Sequence, residues 1–471
     1  MNGRSRIRLA AAFLAAASWA ASLFGGVPTR REGFPGVYVD RSHEWLFAHE
    51  DLAIKMLTPI GFDVVLSDCS LEAAGDLSQH DVVVLAQGSS LSPVSSAEEK
   101  LLLSYVKNGG TLLLVANAGT SAQRLARSFG YGFVAGGTKP LFAARPLVAQ
   151  GCPREIPAQA VRWNLVPAKR AMVLVSDAAS RPVAATSQYG KGRVVVWADD
   201  GAYWDFCAQR DPQGKVASTP VNQALFRWIA PDRAGGEKGR LSYVEAEILE
   251  EFSGLRVRYS KPIAPDAKRL TARIPQVIEV VEKWNGQRLP AEHPYTIHFL
   301  SGGGGGWAGP EAAGICVYGG DFSIRVMGHE FTHSIANPLP GIFGEGWAIL
   351  VGQRAGEALG AAEAAQAEEA SILRRLDEVD PKRGRLDLMQ SEQGPHNLDY
   401  QHKAVWLLCE CQKRYGDDFM ARVLKRRDQK YGVRKPITLT QMFELFAEVS
   451  GDPNIHQWYR SIGLTMPGPK P

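Results

Sequence analysis

The sequence contains no phosphate-binding glycine loop ahead of a helix and no serine nucleophile with a convincing partner, which sets aside phosphoryl transfer and serine acyl transfer. It has no long basic run. The densest, Lys425-Arg426-Arg427, is a triplet of the kind that lies on a solvated helix face, and the formal net charge is only +4, so nucleic acid is not an expected partner. Cysteine is sparse, six in 471 residues, at spacings that match neither a zinc ribbon nor a dense disulfide scaffold. Cys409 and Cys411 stand two apart in a predicted helix, roughly 200° around its axis, so they are not expected to bridge each other. Cys152 with Cys207 is the pair left open. No stretch beyond the N-terminus has the run of about 20 apolar residues that spans a bilayer, and no internal repeat is visible.

At 45% apolar residues the chain is long enough for two or three cores. Residues 1–26 set Arg4, Arg6 and Arg8 before the Ala-rich run 9–24, with Ala17, Ala20 and Ser22 as small residues at cleavage positions, which reads as an export signal. Removing those three arginines leaves a net charge of +1. The alternative is an uncleaved membrane anchor. Cys69, the first cysteine, is too far away for lipid attachment at that segment. The expected location is therefore periplasmic or secreted.

From 33 to 231, short apolar runs at 37–39, 64–66, 82–85 and 112–115 alternate with helical spacing such as 97–106, predicting an α/β domain with a mostly parallel, flavodoxin-like sheet. A later strand pair, 182–187 and 193–198, is joined by a glycine-bearing hairpin turn, and a helix over 221–228 closes the domain. Residues 232–240, rich in glycine and alternating charge, read as a linker. A second, α+β domain is expected over 241–466. It begins with strands within 241–257 and at 295–300 and is helical in spacing from Ser323 on, including the Ala/Glu-rich 356–376.

The chemistry concentrates at Gly328-His329-Glu330-Phe331-Thr332-His333. Histidines at i and i+4 of a helix share one face, so both imidazoles can reach one ion. A catalytic zinc needs a third protein ligand and an open position, and Glu345 opens the next helical stretch after a Pro/Gly turn. Glu330, one residue past the first histidine, lies beside the metal without having to coordinate it and can take a proton from an attacking water. His293, His298, His396 and His456 have no partner at ligand spacing and are left out of the site.

Together with Gly344-Glu345-Gly346-Trp347-Ala348, this motif resembles the gluzincin metallopeptidases, the superfamily of thermolysin and aminopeptidase N, over about half of the chain. The closing segment with Phe443, Phe446 and Val449-Ser450-Gly451-Asp452 is similar to the end of that domain. The resemblance implies a peptidase holding one zinc per chain through His329, His333 and Glu345, with Glu330 as base and a peptide, protein or glycoprotein substrate. It also implies an oxyanion-stabilising role for Tyr400 in Tyr400-Gln401-His402-Lys403-Ala404, although Lys403 stands where glycine is usual. The G-x-M-E-N segment that grips a free amine is absent, which puts aminopeptidase activity in doubt. Gly302 to Gly306 and Gly314 to Gly319 are placed like a substrate-binding turn and edge strand, or form an ordinary loop and strand.

The first domain, notably Glu98 to Asn117 and the turn before Arg193, resembles class I glutamine amidotransferase-like domains of exported bacterial proteins. The strand over 112–117 runs into Ala118-Gly119-Thr120 rather than a cysteine, so glutaminase chemistry is not expected. Asp40, His43 and the Gln87-Gly88-Ser89 loop fall at strand ends where such sheets bind ligands, or serve as turn and cap residues. The combination is similar to enhancin-like, mucin-directed peptidases and the TRP-channel-associated factors, and implies a binding module for substrate, glycan or cell envelope. The alternatives are a zincin-fold scaffold without turnover and an envelope-associated regulator acting through its first domain.

Overall fold

A computed structural model describes residues 31–87, 92–156, 161–198, 219–230, 237–289, 295–302, 305–317, 322–336, 339–360, 362–393 and 398–465. The expected signal segment, most of the expected linker, Cys207, His293 and His396 lie outside the described residues. Contacts divide the chain into two compact units. One is Met1–Leu249 with Tyr259–Ala264 and Leu300–Gly304, the other Glu250–Arg258, Pro265–Phe299 and Gly305–Pro471.

The first unit is built on a ten-stranded mixed sheet. Strands β1 (Gly36–Asp40), β2 (Asp63–Ser67), β3 (Val82–Gln87) and β4 (Thr111–Ala116) are buried along their whole length, as expected for parallel strands covered on both faces. Alternate side chains feed two cores: Val37, Val39, Val82 and Val84 enter one, and Tyr38, Val83, Leu85 and Leu112 enter the other. The parallel order β2-β1-β3-β4 is that of a doubly wound open sheet.

Between β3 and β4, helix α1 (Ser96–Lys107) starts at a reciprocal Ser95/Glu98 capping box. It ends before Gly109, whose φ of 125° suits only glycine. The expected hairpin is present as β10 (Pro182–Tyr189) and β11 (Gly192–Ala198), and β11 pairs in parallel with β4. The sheet continues through β9 (Met172–Asp177), β6 (Leu141–Ala143) and β7 (Glu155–Ile156), while β5 (Gly132–Ala135) and β8 (Trp163–Val166) form a separate ribbon.

One boundary is corrected. Strand β12 (Leu241–Val244), assigned from the sequence to the second domain, pairs in parallel with β2 from Leu241↔Val64 onward and extends the first sheet. A short apolar strand reads the same whichever sheet it joins.

The carboxyl end of β1 carries a buried ion cluster. His43 Nδ1 lies 2.6 Å from Asp40 Oδ2, and its Nε2 lies 3.2 Å from Glu98 Oε2. Ser42 donates to Asp40, while Ser95 and Leu71 amides donate to Glu98. Burial alone would lower the His43 pKa, but Asp40 and then Glu98 raise it to about 10. The crevice where doubly wound sheets usually take a ligand is thus lined by the protein's own paired charges.

The second unit holds a five-stranded sheet ordered β13 (Ile248–Phe252), β14 (Leu255–Tyr259), β15 (Thr296–Ser301), β17 (Ala312–Val317) and β16 (Gly306–Ala308), which leaves β16 on an edge. Helices labelled here α2 (Ile274–Asn285), α3 (Phe322–Ala336), α4 (Gly341–Ala358), α5 (Ala362–Val379), α6 (Leu398–Tyr415), α7 (Phe419–Tyr431), α8 (Leu439–Ser450) and α9 (Ile455–Ser461) follow the sheet's first strands and dominate its C-terminal part. The helical stretch expected over 356–376 is interrupted at Gly360, whose φ of 100° ends one helix before the next begins. Phe343 on α4 packs edge-on against Phe443 and Phe446 of α8, at 5.4 and 6.2 Å between ring centroids. Cys409 and Cys411 are buried and unbridged, and Cys152 carries a free thiol.

Because His43 titrates near 6.5 when unfolded and about 10 when folded, its contribution is fully present below pH 6.5 and is lost as pH rises through about 10. Urea unfolding of the full chain should therefore show a decline over this window that is weaker in His43→Gln. Identical pH profiles for the two proteins would mean that the imidazole is neutral in the fold.

Candidate metal centre

Helix α3 is buried nearly all round and runs through the core. Twelve of its fifteen residues are buried, and only Phe322, His329 and His333 reach solvent. The two imidazoles therefore form the one half-open stripe on an otherwise enclosed helix, as the i, i+4 spacing requires. Their Nε2 atoms face each other at 3.0 Å, with ring planes inclined at 78°.

Glu345 arrives from α4, which runs antiparallel to α3. The helices approach closely because both present glycine at the crossing. A Cβ on Gly352 would lie 2.6 Å from the Arg325 carbonyl oxygen and 3.3 Å from His329 Cβ, and a Cβ on Gly328 would lie 2.8 Å from that of Ala355. Glu345 is two turns before Gly352 on the same face of α4. It sets Oε2 3.6 Å from His329 Nε2 and Oε1 3.6 Å from His333 Nε2. A tetrahedral ion with bonds of roughly 2.0–2.1 Å has ligand–ligand edges of about 3.3–3.4 Å, so two imidazole nitrogens and a carboxylate at these separations fit zinc.

His329, Glu330 and His333 also place ligand atoms within 4.8 Å of one another. Glu330 and Glu345 are thus both near the two nitrogens. Glu345 addresses the two nitrogens equally, one carboxylate oxygen to each. Glu330 is turned about 100° around the helix from His329, and its carboxylate rests against Gly306 of β16, where an added Cβ would lie 2.6 Å from Oε1. Burial raises the Glu330 pKa, opposed by His329 and His333. Burial would raise that of Glu345 too, but the two histidines hold it well below the carboxylate range. His333, lowered by burial, is raised overall by Glu345, so a cation and a proton compete for this cluster.

Several supports were not legible in the sequence. Ser334 Oγ donates to the Glu330 carbonyl and meets the buried Tyr295 hydroxyl. Trp347 Nε1 donates to Asn285 Oδ1 at 2.8 Å, and Asn285 in turn donates to the Val281 carbonyl, fixing α4 against α2. Arg427, fully buried, donates from Nη1 to the Ala336 carbonyl at the C-terminal end of α3, where a cation also complements the helix dipole. These pairs are 39, 62 and 91 residues apart in sequence, and no local pattern marks them.

Tyr400 lies in the first turn of α6 and is half-buried. It is one turn before Ala404, whose Cβ would be 3.0 Å from one added at Gly346, so α6 presses this face against α4 next to Glu345. The structure therefore gathers His329, His333, Glu345 and Glu330 into one cluster and sets Tyr400 on the neighbouring helix. Edge strand β16 stacks Trp307 over Gly314 of β17, its register partner, where no side chain could fit.

No protein-family model and no curated protein matches the chain. Solved structures similar to part of it include leukotriene A4 hydrolase from Saccharomyces cerevisiae, 16% identical over 48% of this chain and 40% of that one, with a TM-score of 0.38. Another is an M1 zinc metallopeptidase mutant from Deinococcus radiodurans, 15% identical over 42% and 46%, with a TM-score of 0.31. A third is a β-galactosidase from Bacillus circulans sp. alkalophilus, 14% identical over 42% and 31%, with a TM-score of 0.28. The chain spans less than half the length of each. Matches this partial, to enzymes of differing chemistry, leave function to be argued from the site.

Enlarging Gly352 should separate α3 from α4. Gly352→Val is expected to weaken zinc binding at least about 10-fold, the scale of a disturbed supporting shell, while far-ultraviolet circular dichroism keeps its helical signal. Undiminished zinc affinity would mean that the glycine crossing does not set the ligand triangle.

Proposed function

We propose that the chain is an exported zinc-dependent peptidase of gluzincin type that hydrolyses peptide bonds in a peptide, protein or glycoprotein substrate. The observation that carries this reading is the stripe on α3: within a helix otherwise given over to core packing, the two partly exposed histidines turn their Nε2 atoms toward each other and toward the carboxylate of Glu345. His329, His333 and Glu345 would hold one zinc ion per chain, which supplies a Lewis acid to polarise the scissile carbonyl and acidify water.

Glu330 is the general base. Its carboxylate is enclosed and its pKa raised, which brings it nearer the working range of a group that first takes a proton from water and then gives it to the leaving amine. Tyr400 donates to the developing oxyanion, a role supported by its placement on the face of α6 that packs beside Glu345. The first unit acts as a non-catalytic module that binds substrate, glycan or envelope, in keeping with its amidotransferase-like sequence. Two features support the lack of catalysis there. Its strand-end crevice is taken up by Asp40, His43 and Glu98, and β4 runs into Asn117 and Ala118 with no thiol on the turn.

The test combines metal analysis with turnover on a diverse peptide and glycoprotein library. Glu330→Gln is expected to retain about one zinc per chain and to lose roughly 10²–10⁴ in kcat/KM, as for removal of a general base. His333→Ala should lose the zinc itself. Full cleavage by Glu330→Gln would place the chemistry elsewhere, and stoichiometric zinc without any cleavage would identify a binding protein that keeps the site without turnover.

A further inference from the structure

Lys403 is fully buried, an unusual position for a lysine. Its Nζ is enclosed by four oxygens from two separate stretches of chain: Asp380 Oδ2 at 3.0 Å, the Arg383 carbonyl at 2.6 Å and the Leu386 carbonyl from one, and the Ile462 carbonyl at 2.9 Å from the other. Asp380 also accepts from the amides of Arg385 and Leu386, which curls the segment after α5 around the ammonium.

The backbone around this cage is shaped to point oxygens inward. Arg383 holds a φ of 58°, a left-handed conformation unfavourable for a residue with a side chain. Gly463 adopts a φ of 77°, and a Cβ there would lie 2.3 Å from the Gly384 carbonyl oxygen. The chain at Gly463 therefore passes against Gly384 with no room for a side chain, next to the Arg383 and Ile462 carbonyls that reach the ammonium. Strained backbone, a glycine–glycine crossing and four inward oxygens make up a cation-binding site.

We infer that this is a site for a single monovalent cation, occupied in cis by the ammonium of Lys403, and that the tethered ion fixes helix α6 to the segment 380–386 and to the chain after α9. All four oxygens accept from the one ammonium, whose three protons they satisfy in full. One carboxylate against one ammonium also leaves the cage neutral, where a divalent ion would leave excess positive charge buried. Since Ala404, the next residue, is pressed against Gly346 on α4, the same ion holds α6 at its place beside α4.

The experiment is chemical rescue in the full chain, read by thermal unfolding and amide exchange and therefore independent of metal content or turnover. Lys403→Met, which keeps the stem but removes the charge, should lower Tm by roughly 10 °C and speed exchange at 380–386 and 462–465 together. Lys403→Ala opens both stem channel and cage. Propylammonium chloride at tens of millimolar should raise its Tm by several degrees, with a smaller rise from potassium chloride, none from magnesium chloride, and none in the wild type. If Lys403→Ala does not fold, Asp380→Asn serves instead: it should lower Tm by a smaller amount, with faster exchange confined to the same two segments. A Lys403→Met protein as stable as wild type, a folded Lys403→Ala indifferent to propylammonium, or Asp380→Asn with unchanged exchange would each overturn the inference.

Discussion

The close crossing of α3 and α4 is the constraint on which the site depends. Histidines at i and i+4 can be brought to one side by any helix, but a third ligand from a second helix requires the two axes to approach more closely than ordinary side chains allow. Gly328 and Gly352 permit this, each standing where a Cβ would meet the opposing backbone or Cβ. Packing then holds what the glycines allow. Phe343 wedges the start of α4 among Phe443 and Phe446, and the Trp347–Asn285 bond fixes its rotation, so that Glu345 has little freedom to swing away from the imidazoles.

What could be read from the sequence follows the range of the interactions involved. The two histidines, Glu330 and the helix beneath them are matters of one or two helical turns, and the spacing alone locates them. Glu345 was reachable because it opens the very next helix. The parallel core of the first unit was legible too, since strands buried on both faces appear as unbroken runs such as Val82-Val83-Val84-Leu85. Pairings across long stretches of chain were not. Leu241–Val244 carries no mark saying that its neighbour is Val64, and nothing near Ala336 announces that Arg427 will close its helix. Lys403 looked like a departure from a familiar pattern, whereas the fold gives it four oxygens contributed by residues up to 59 positions away.

The units manage buried charge in different ways. In the first, an imidazole is held between two carboxylates, all three enclosed and further satisfied by backbone amides and hydroxyls. In the second, Lys403 is buried against three carbonyl oxygens and Arg427 against one, each with a single acidic partner. The imidazole cluster and Lys403 follow the rule that an enclosed ion persists with nearly complete hydrogen bonding. The histidine cluster differs in that His329, His333 and Glu345 are only partly enclosed, while Glu330 beside them is buried.

The division of labour along α3 has a consequence for how this protein can change over evolutionary time. Most of its buried residues answer to the core and its two partly exposed histidines to chemistry, while Glu330 is enclosed and belongs to both. Small polar substitutions at the partly exposed His329 or His333 would remove the cluster while leaving the twelve buried residues of the helix in place. The reverse does not hold: drift in the small residues of the crossing would erode the fold and the site at once. The histidines are therefore free to record selection for activity, while the glycines beside them record selection for architecture.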